Sequence, residues 1–178
     1  MFEVTNQNFA QSTKFKLNFS RLPYMTFFCN SVNLPGVSAG VTQQATPFSD
    51  APVPGDKIQY ETLDVSFMID EDYMSWFTVH DWIRGMTFPT SFSEYKNLAL
   101  QQRTLPQSSM VSRQDRPQYS DATLNIFTNK NNANINVLFK DCFPVTLSSI
   151  KFSTQDTADI IITGDASFKF AYYDIVRL

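Results

Sequence analysis

The chain has a single histidine, two cysteines and five glycines in 178 residues, and these scarcities narrow what it does. The acidic trio Asp70-Glu71-Asp72 has neither a calcium-loop pattern nor a nearby histidine, so no metal is expected there. Cys29 and Cys142 each sit in an apolar, strand-like segment, and one pair in a chain this long is not a disulfide framework. They read as free thiols of a reducing compartment. Fourteen Lys and Arg against seventeen Asp and Glu leave a net charge of -3. A dedicated nucleic-acid binder needs a cationic surplus to displace phosphate counterions, although a passage that DNA slides through does not. No apolar run approaches the roughly 20 residues that span a bilayer, and Met1 to Gln7 carries no basic region followed by an apolar one. The expectation is a protein folded in the cytoplasm where it is made, with no membrane partner.

What is abundant is aromatic: seventeen Phe, seven Tyr and two Trp. Such side chains suit pleated, half-buried surfaces, so all-β or α+β is the expected class. With 43% hydrophobic residues, the chain reads as one domain over 1–178 that buries roughly 70% of its unfolded surface without staples.

Periodicity orders the elements. Phe15, Leu17 and Phe19 alternate with polar residues, and a second apolar segment, Tyr24 to Val32, reads as the other half of an antiparallel pair. Residues 34–57, from Leu34-Pro35-Gly36 to beyond Pro54-Gly55-Asp56, read as a long loop. Leu63, Val65, Phe67 and Ile69 mark one face of a strand, with Thr62, Asp64, Ser66 and Met68 on the other. A helix over about 71–84 follows, capped by Asp70 or Asp72 and stopped at Gly85. On its wheel Tyr73, Trp76, Phe77, Val79 and Ile83 form one apolar arc, leaving Met74 and Trp82 outside it.

Residues 86–120 turn to Ser, Gln, Pro and Arg and read as a second long loop, mildly basic through Lys96, Arg103, Arg113 and Arg116. Leu124 and Ile126, then Ile135, Val137 and Phe139, flank an asparagine turn as a hairpin. Strand character returns at Cys142 to Leu147, at Ile150 and Phe152, and at Ile160 to Ile162 after a turn at 155–157. A last strand carries Ala166, Phe168, Phe170 and Tyr172 on one face and Ser167, Lys169, Ala171 and Tyr173 on the other.

Chemistry finds little support. Cys142 and His80 would make a nucleophile and base, oriented by Asp81 or Asp141, yet no elbow-like turn surrounds either cysteine and His80 falls inside the apolar arc. A carbohydrate-binding sandwich with Tyr24, Tyr172 and Tyr173 as its platform is the other class of reading; core or interface packing accounts for those aromatics more simply.

The segment Leu63-Asp64-Val65-Ser66-Phe67-Met68-Ile69-Asp70-Glu71-Asp72, its helix ending in Asp81-Trp82, Leu34-Pro35-Gly36, Pro54-Gly55-Asp56 and Phe143-Pro144-Val145 stand in an order that resembles the tail-tube family of contractile-tailed bacteriophages. The spacing from Ile69 to Trp76 and Trp82 looks closest to its tube terminator branch, with the major tube protein and the baseplate tube initiator as alternatives. The resemblance implies a mainly antiparallel α+β fold, a β-sandwich or barrel-like core with one flanking helix. It also implies a non-enzymatic virion tail subunit without cofactors, in a homo-hexameric ring among tube, sheath and neck or baseplate proteins, assembled in the bacterial host. DNA and the tape-measure protein then pass through the lumen without sequence-specific binding. On this footing Thr62, Asp64, Ser66, Ser167 and Lys169 are lumen-facing candidates. Met74 and Trp82, with Arg103, Arg113 and Arg116, are candidates for intersubunit or sheath contact.

Overall fold

A computed structural model describes residues 9–104, 118–153 and 161–177, with the side chains of Tyr24, Phe27 and 101–104 left out of the description. The order is β1 (Phe15–Phe19), α1 (Pro23–Phe28), β2 (Cys29–Val32), β3 (Val37–Ala45), β4 (Asp50–Tyr60), β5 (Leu63–Met68), α2 (Met74–Thr87), α3 (Ser93–Thr104), β6 (Ser120–Phe127), β7 (Ala133–Leu147), β8 (Thr163–Lys169) and β9 (Tyr172–Arg177).

One sheet runs β1-β6-β7-β8-β5-β2, with β9 also on β7 and every pairing antiparallel. The long strand β7 joins its two halves. Its first part lies between β6 and β9, and from Phe143 onward it pairs with β8. Between these parts Asp141 adopts a left-handed backbone (φ 55°), a conformation that aspartate tolerates better than most residues. Asp121 braces the bend, accepting from Lys140 Nζ at 2.7 Å and from the Asp141 amide at 3.3 Å. The halves therefore fold over one core. Phe19 of β1 meets Phe168 of β8 at 4.7 Å between ring centroids, and Leu17, Leu63, Val65, Phe67, Leu124, Val137 and Phe139 join the same buried cluster.

The α+β, mainly antiparallel class stands, and so does the β6–β7 hairpin: Leu124 faces Val137 and Ile126 faces Ile135. Several local expectations are corrected. Residues 23–28 form a helix, with Pro23 in its first turn; β1 pairs with β6, and β2 pairs with β5. Residues 34–57 are mostly a hairpin, β3 and β4, forming a separate two-stranded sheet. Within 86–120, the helix α3 replaces part of the supposed loop. The last apolar stretch is two strands, and the break at 170–171 turns Tyr173 inward and Tyr172 outward. Ile150, Phe152, Ile161 and Ile162 lie outside strands, while 155–157 and Ile160 fall outside the described residues.

The flanking helix runs Met74–Thr87, but its buried face is Ser75, Val79, Trp82 and Gly85, roughly a third of a turn from the expected arc. Trp82 is 1% exposed, whereas Phe77 is 47% exposed and Trp76 only partly buried. A serine and a glycine hide this face from an apolar count, and each has a cause. Asp70 Oδ1 accepts from the Ser75 amide at 2.9 Å and its hydroxyl at 2.6 Å, and Asp70 Oδ2 from the Met74 amide at 3.2 Å. Gly85 is a close-approach site: a Cβ there would lie 3.1 Å from Leu98 of α3. The helix accordingly does not stop at Gly85. It closes at Phe88, in left-handed conformation, whose amide donates to Arg84 O at 2.7 Å.

Candidate functional site

Three surfaces stand out among the described residues. The first is the β3–β4 ribbon, which at nine and eleven residues reaches roughly 30 Å. Cross-strand partners share a face, so Val37 with Tyr60, Ala39 with Ile58 and Val41 with Pro54 make the inner part of one side apolar, with Gln43 and Asp50 on that side toward the tip. Ser38 with Gln59 and Thr42 with Val53 make the other side more polar. The apolar side grows out of the core, where Tyr60 packs on Phe170 and Tyr173 and the Tyr173 hydroxyl donates to Pro35 O. Farther out it is uncovered, with Val37 50%, Ile58 56% and Val41 69% exposed. Isolated two-stranded ribbons are marginal in water, and large exposed apolar faces are uncommon on lone subunits. Gly40 and Gly55 let the two strands meet at the ribbon's irregularity; a Cβ on Gly55 would stand 2.7 Å from Gly40 O.

The second is the outer face of β5 and β8. Asp64 stands opposite Ser167 and Ser66 opposite Asp165, while Lys169 follows two residues on along the same face of β8. Thr62 precedes β5 and its hydroxyl donates to Asp64 Oδ2 at 3.3 Å. The structure thus brings all five lumen candidates to one hydrophilic face, opposite the buried Leu63, Val65, Phe67, Ala166 and Phe168.

The third is the outside of α2 and α3. Met74 is 41% exposed, and next to it Tyr73 packs at a tilt against both Phe77 and the exposed Phe152. At the α2–α3 corner Phe88, Phe92 and Tyr95 form a second aromatic group. Arg84 Nε donates to Glu94 Oε1 at 2.7 Å and ties the two helices together.

Trp82 is removed from the contact candidates because it is a core residue: its indole N–H donates to Gln118 O at 3.1 Å and Arg21 lies 5.2 Å over its ring. Arg103 lies in the last turn of α3 with its side chain outside the description, and Arg113 and Arg116 lie outside the described residues.

The catalytic candidates are not assembled. Cys142 is fully buried in β7, where burial pushes its thiol far up and away from the thiolate. His80 is half-buried on α2, stacked on Trp76 at 5.2 Å and 3.3 Å from Asp81. Both cysteines are free thiols. The sugar-platform reading fails too, since Tyr172 is exposed while Tyr173 packs into the core, and the Tyr24 side chain is outside the description. Among the described residues no cluster of metal-ligating side chains occurs, and no helix is long and apolar enough to cross a membrane.

A bent antiparallel sheet folded over one core, with flanking helices and an extended ribbon, is the architecture that the comparisons with known proteins match. The chain belongs to the phage tail tube protein family, whose family model matches residues 1–176. Among curated proteins it is similar to the tail tube terminator protein of Enterobacteria phage T4, at 26% identity over 156 residues, covering 85% of this chain and 78% of that protein. Among solved structures its fold is similar to the tube-terminating cap of the anti-feeding prophage, with TM-score 0.61, 10% identity and coverage of 99% and 97% of the two chains. It is likewise similar to the sheath/tube terminator structure of the PVC extracellular contractile injection system, with TM-score 0.57, 12% identity and coverage of 96% and 98%.

Proposed function

We propose that this chain is the tail tube terminator of a contractile phage tail, a non-enzymatic subunit of a hexameric ring that closes the head-proximal end of the tube. The observation that carries the ring is the β3–β4 ribbon, whose apolar face continues the core yet is left uncovered by the described residues of its own chain. A subunit meant to stand alone would be destabilised and made sticky by such a surface; a ring subunit covers it with a neighbour. The similarity to the T4 terminator along most of the chain favours the closing ring over the major tube subunit or the baseplate initiator.

In this reading residues 1–178 act as one domain, and the hydrophilic face of Thr62, Asp64, Ser66, Ser167 and Lys169 lines the lumen. Its mixture of hydroxyls, carboxylates and a single lysine suits DNA that must slide, because phosphates gain little from a surface with few cations. Tape-measure protein passes the same way. Met74 and the exposed aromatics of α2 and α3 face sheath or neck proteins, with Arg103, Arg113 and Arg116 contributing, and the particle is assembled in the host cytoplasm.

The test is solution mass over a concentration series with negative-stain electron microscopy in parallel. Single rings of six subunits support the proposal. Open-ended tubes growing from the pure protein make it the major tube subunit, and a persistent monomer that ignores tube ends removes the ring altogether.

A further inference from the structure

The charges on the hydrophilic face of β5 and β8 stand in a fixed order along the strands. Leu63 pairs with Phe168, which sets Thr62 level with Lys169. One row further Asp64 stands opposite Ser167, and in the next row Ser66 stands opposite Asp165. Rows two residues apart on one strand face are separated by about 7 Å. From the end where the ribbon joins β5 to the end where β5 runs on toward α2, the face therefore carries a cation, then a carboxylate, then a second carboxylate. The row after these, Met68 opposite Thr163, is uncharged.

None of the three charges is cancelled by a described neighbour. Lys169, Asp64 and Asp165 are all exposed, and the ion pairs among the described residues join Lys140 to Asp121, Arg84 to Glu94 and His80 to Asp81. Glu61, the carboxylate beside the lysine row, is engaged elsewhere, accepting from the Gly36 amide at 3.2 Å. Asp64 is positioned by neutral donors, the Asn33 side-chain amide at 3.4 Å and the Thr62 hydroxyl at 3.3 Å, which orient the carboxylate without neutralising it. The Asp165 backbone is tied to Ser148, whose hydroxyl accepts from the Asp165 amide at 2.8 Å. Because the rows stand on paired strands, their spacing is rigid. Rotational repetition of the subunit turns each row into a ring of like charge. Neighbouring rings are then closer than the roughly 8 Å screening length of physiological salt, so attraction at the lysine ring and repulsion at the carboxylate rings meet in one sharp step.

We infer that the channel is polarised along its axis: the Lys169 ring binds the phosphates of a duplex DNA end, and the Asp64 and Asp165 rings behind it oppose further entry. The DNA end rests at this mouth until it is driven through, and the mouth beside the ribbon base is the one that faces the incoming DNA. The inference rests on the lumen reading above and adds to it a holding site and a direction.

The test uses the full-length chain assembled into rings and immobilised. The probes are a blunt linear duplex and a covalently closed circle of the same sequence, which has no end to offer. The expected result is retention of the linear duplex alone, weakening by about tenfold or more between 50 and 200 mM salt. Lys169→Gln, a change at an exposed position, is expected to lower that retention by about tenfold or more while rings form at unchanged concentration. Asp64→Asn combined with Asp165→Asn is expected to raise it by a similar factor. Equal retention of linear and closed DNA puts the contact on the outside of the ring and overturns the holding site. Undiminished retention by Lys169→Gln rings, or no gain in the double variant, overturns the assignment to these rows. Rings that retain no linear duplex at any salt overturn the holding site and leave the ring reading standing, whereas a chain that forms no rings overturns the ring reading itself.

Discussion

Replacing Trp82 with alanine is the sharpest test of how α2 sits on the sheet. The side chain is 1% exposed, its ring lies 6.2 Å from Phe168, Arg21 covers its face, and its N–H reaches Gln118 O. Truncating a buried tryptophan costs about 3 to 5 kcal/mol, and losing the indole donor adds about 1 kcal/mol because Gln118 O loses its partner. The expected loss is therefore about 4 to 6 kcal/mol, a large share of the roughly 5 to 15 kcal/mol that holds a domain together. At a few degrees per kcal/mol this lowers the melting temperature by roughly 10 to 20 °C. Trp82→Phe keeps most of the volume and is expected to lose about 1 to 2 kcal/mol. Trp76→Ala, which removes a partly buried ring and a 3.1 Å bond to Ser148 O, is expected to lose about half of what Trp82→Ala does. Urea unfolding at concentrations where the chain is monomeric measures all three. If Trp76→Ala proves the more damaging of the two truncations, the helix lies in the orientation that the sequence wheel suggests and the packing described above is wrong.

Other outcomes follow from the same geometry. Burial pulls the Asp70 carboxyl upward, but hydrogen bonds from Ser75 and Met74 outweigh it and hold the group below its ordinary value. A lowered folded-state value means stability that is present above the unfolded value and lost as pH falls through the folded one. Asp70→Ala is thus expected to cost about 0.5 to 2 kcal/mol near neutrality, with the difference from the parent shrinking below about pH 4 in acid titrations of stability. Gly85→Ala gains helix propensity but forces a methyl to 3.1 Å from Leu98, so a net loss of about 1 kcal/mol is expected, relieved in a double-mutant cycle with Leu98→Ala. Asp64→Lys with Ser167→Lys puts two cations on facing positions of the proposed lumen; assembled rings should then retain duplex DNA in a salt-sensitive manner, and unchanged DNA passage would move the lumen to another face.

The strands were legible where one face meets the core and the other meets water, because alternation then reports burial directly: Leu63, Val65 and Phe67, or Val137 and Phe139. Partners were not legible for β1 and β2, whose neighbours β6 and β5 lie far along the chain and are chosen by tertiary packing. The ribbon was read as a loop because its Ser, Gln, Pro and Gly content is that of a segment without a core of its own, which it is; an apolar set at every second position, Val37, Ala39, Val41, was the available signal. The face of α2 was misread because its innermost positions include Ser75, satisfied by Asp70, and Gly85, needed small by Leu98. The hydrophilic face carrying Asp64 and Ser167 was legible by strand parity alone, and the β5–β8 register brings those two residues opposite each other.

The most direct test of the central claim is a capping assay. Purified chain is added to growing tail tubes made from a separate tube subunit, and tube length and end structure are followed by electron microscopy. A terminator is predicted to arrest elongation and to appear as a single extra ring at one end of each tube. Tubes that lengthen by incorporating the chain along their whole length would contradict that account.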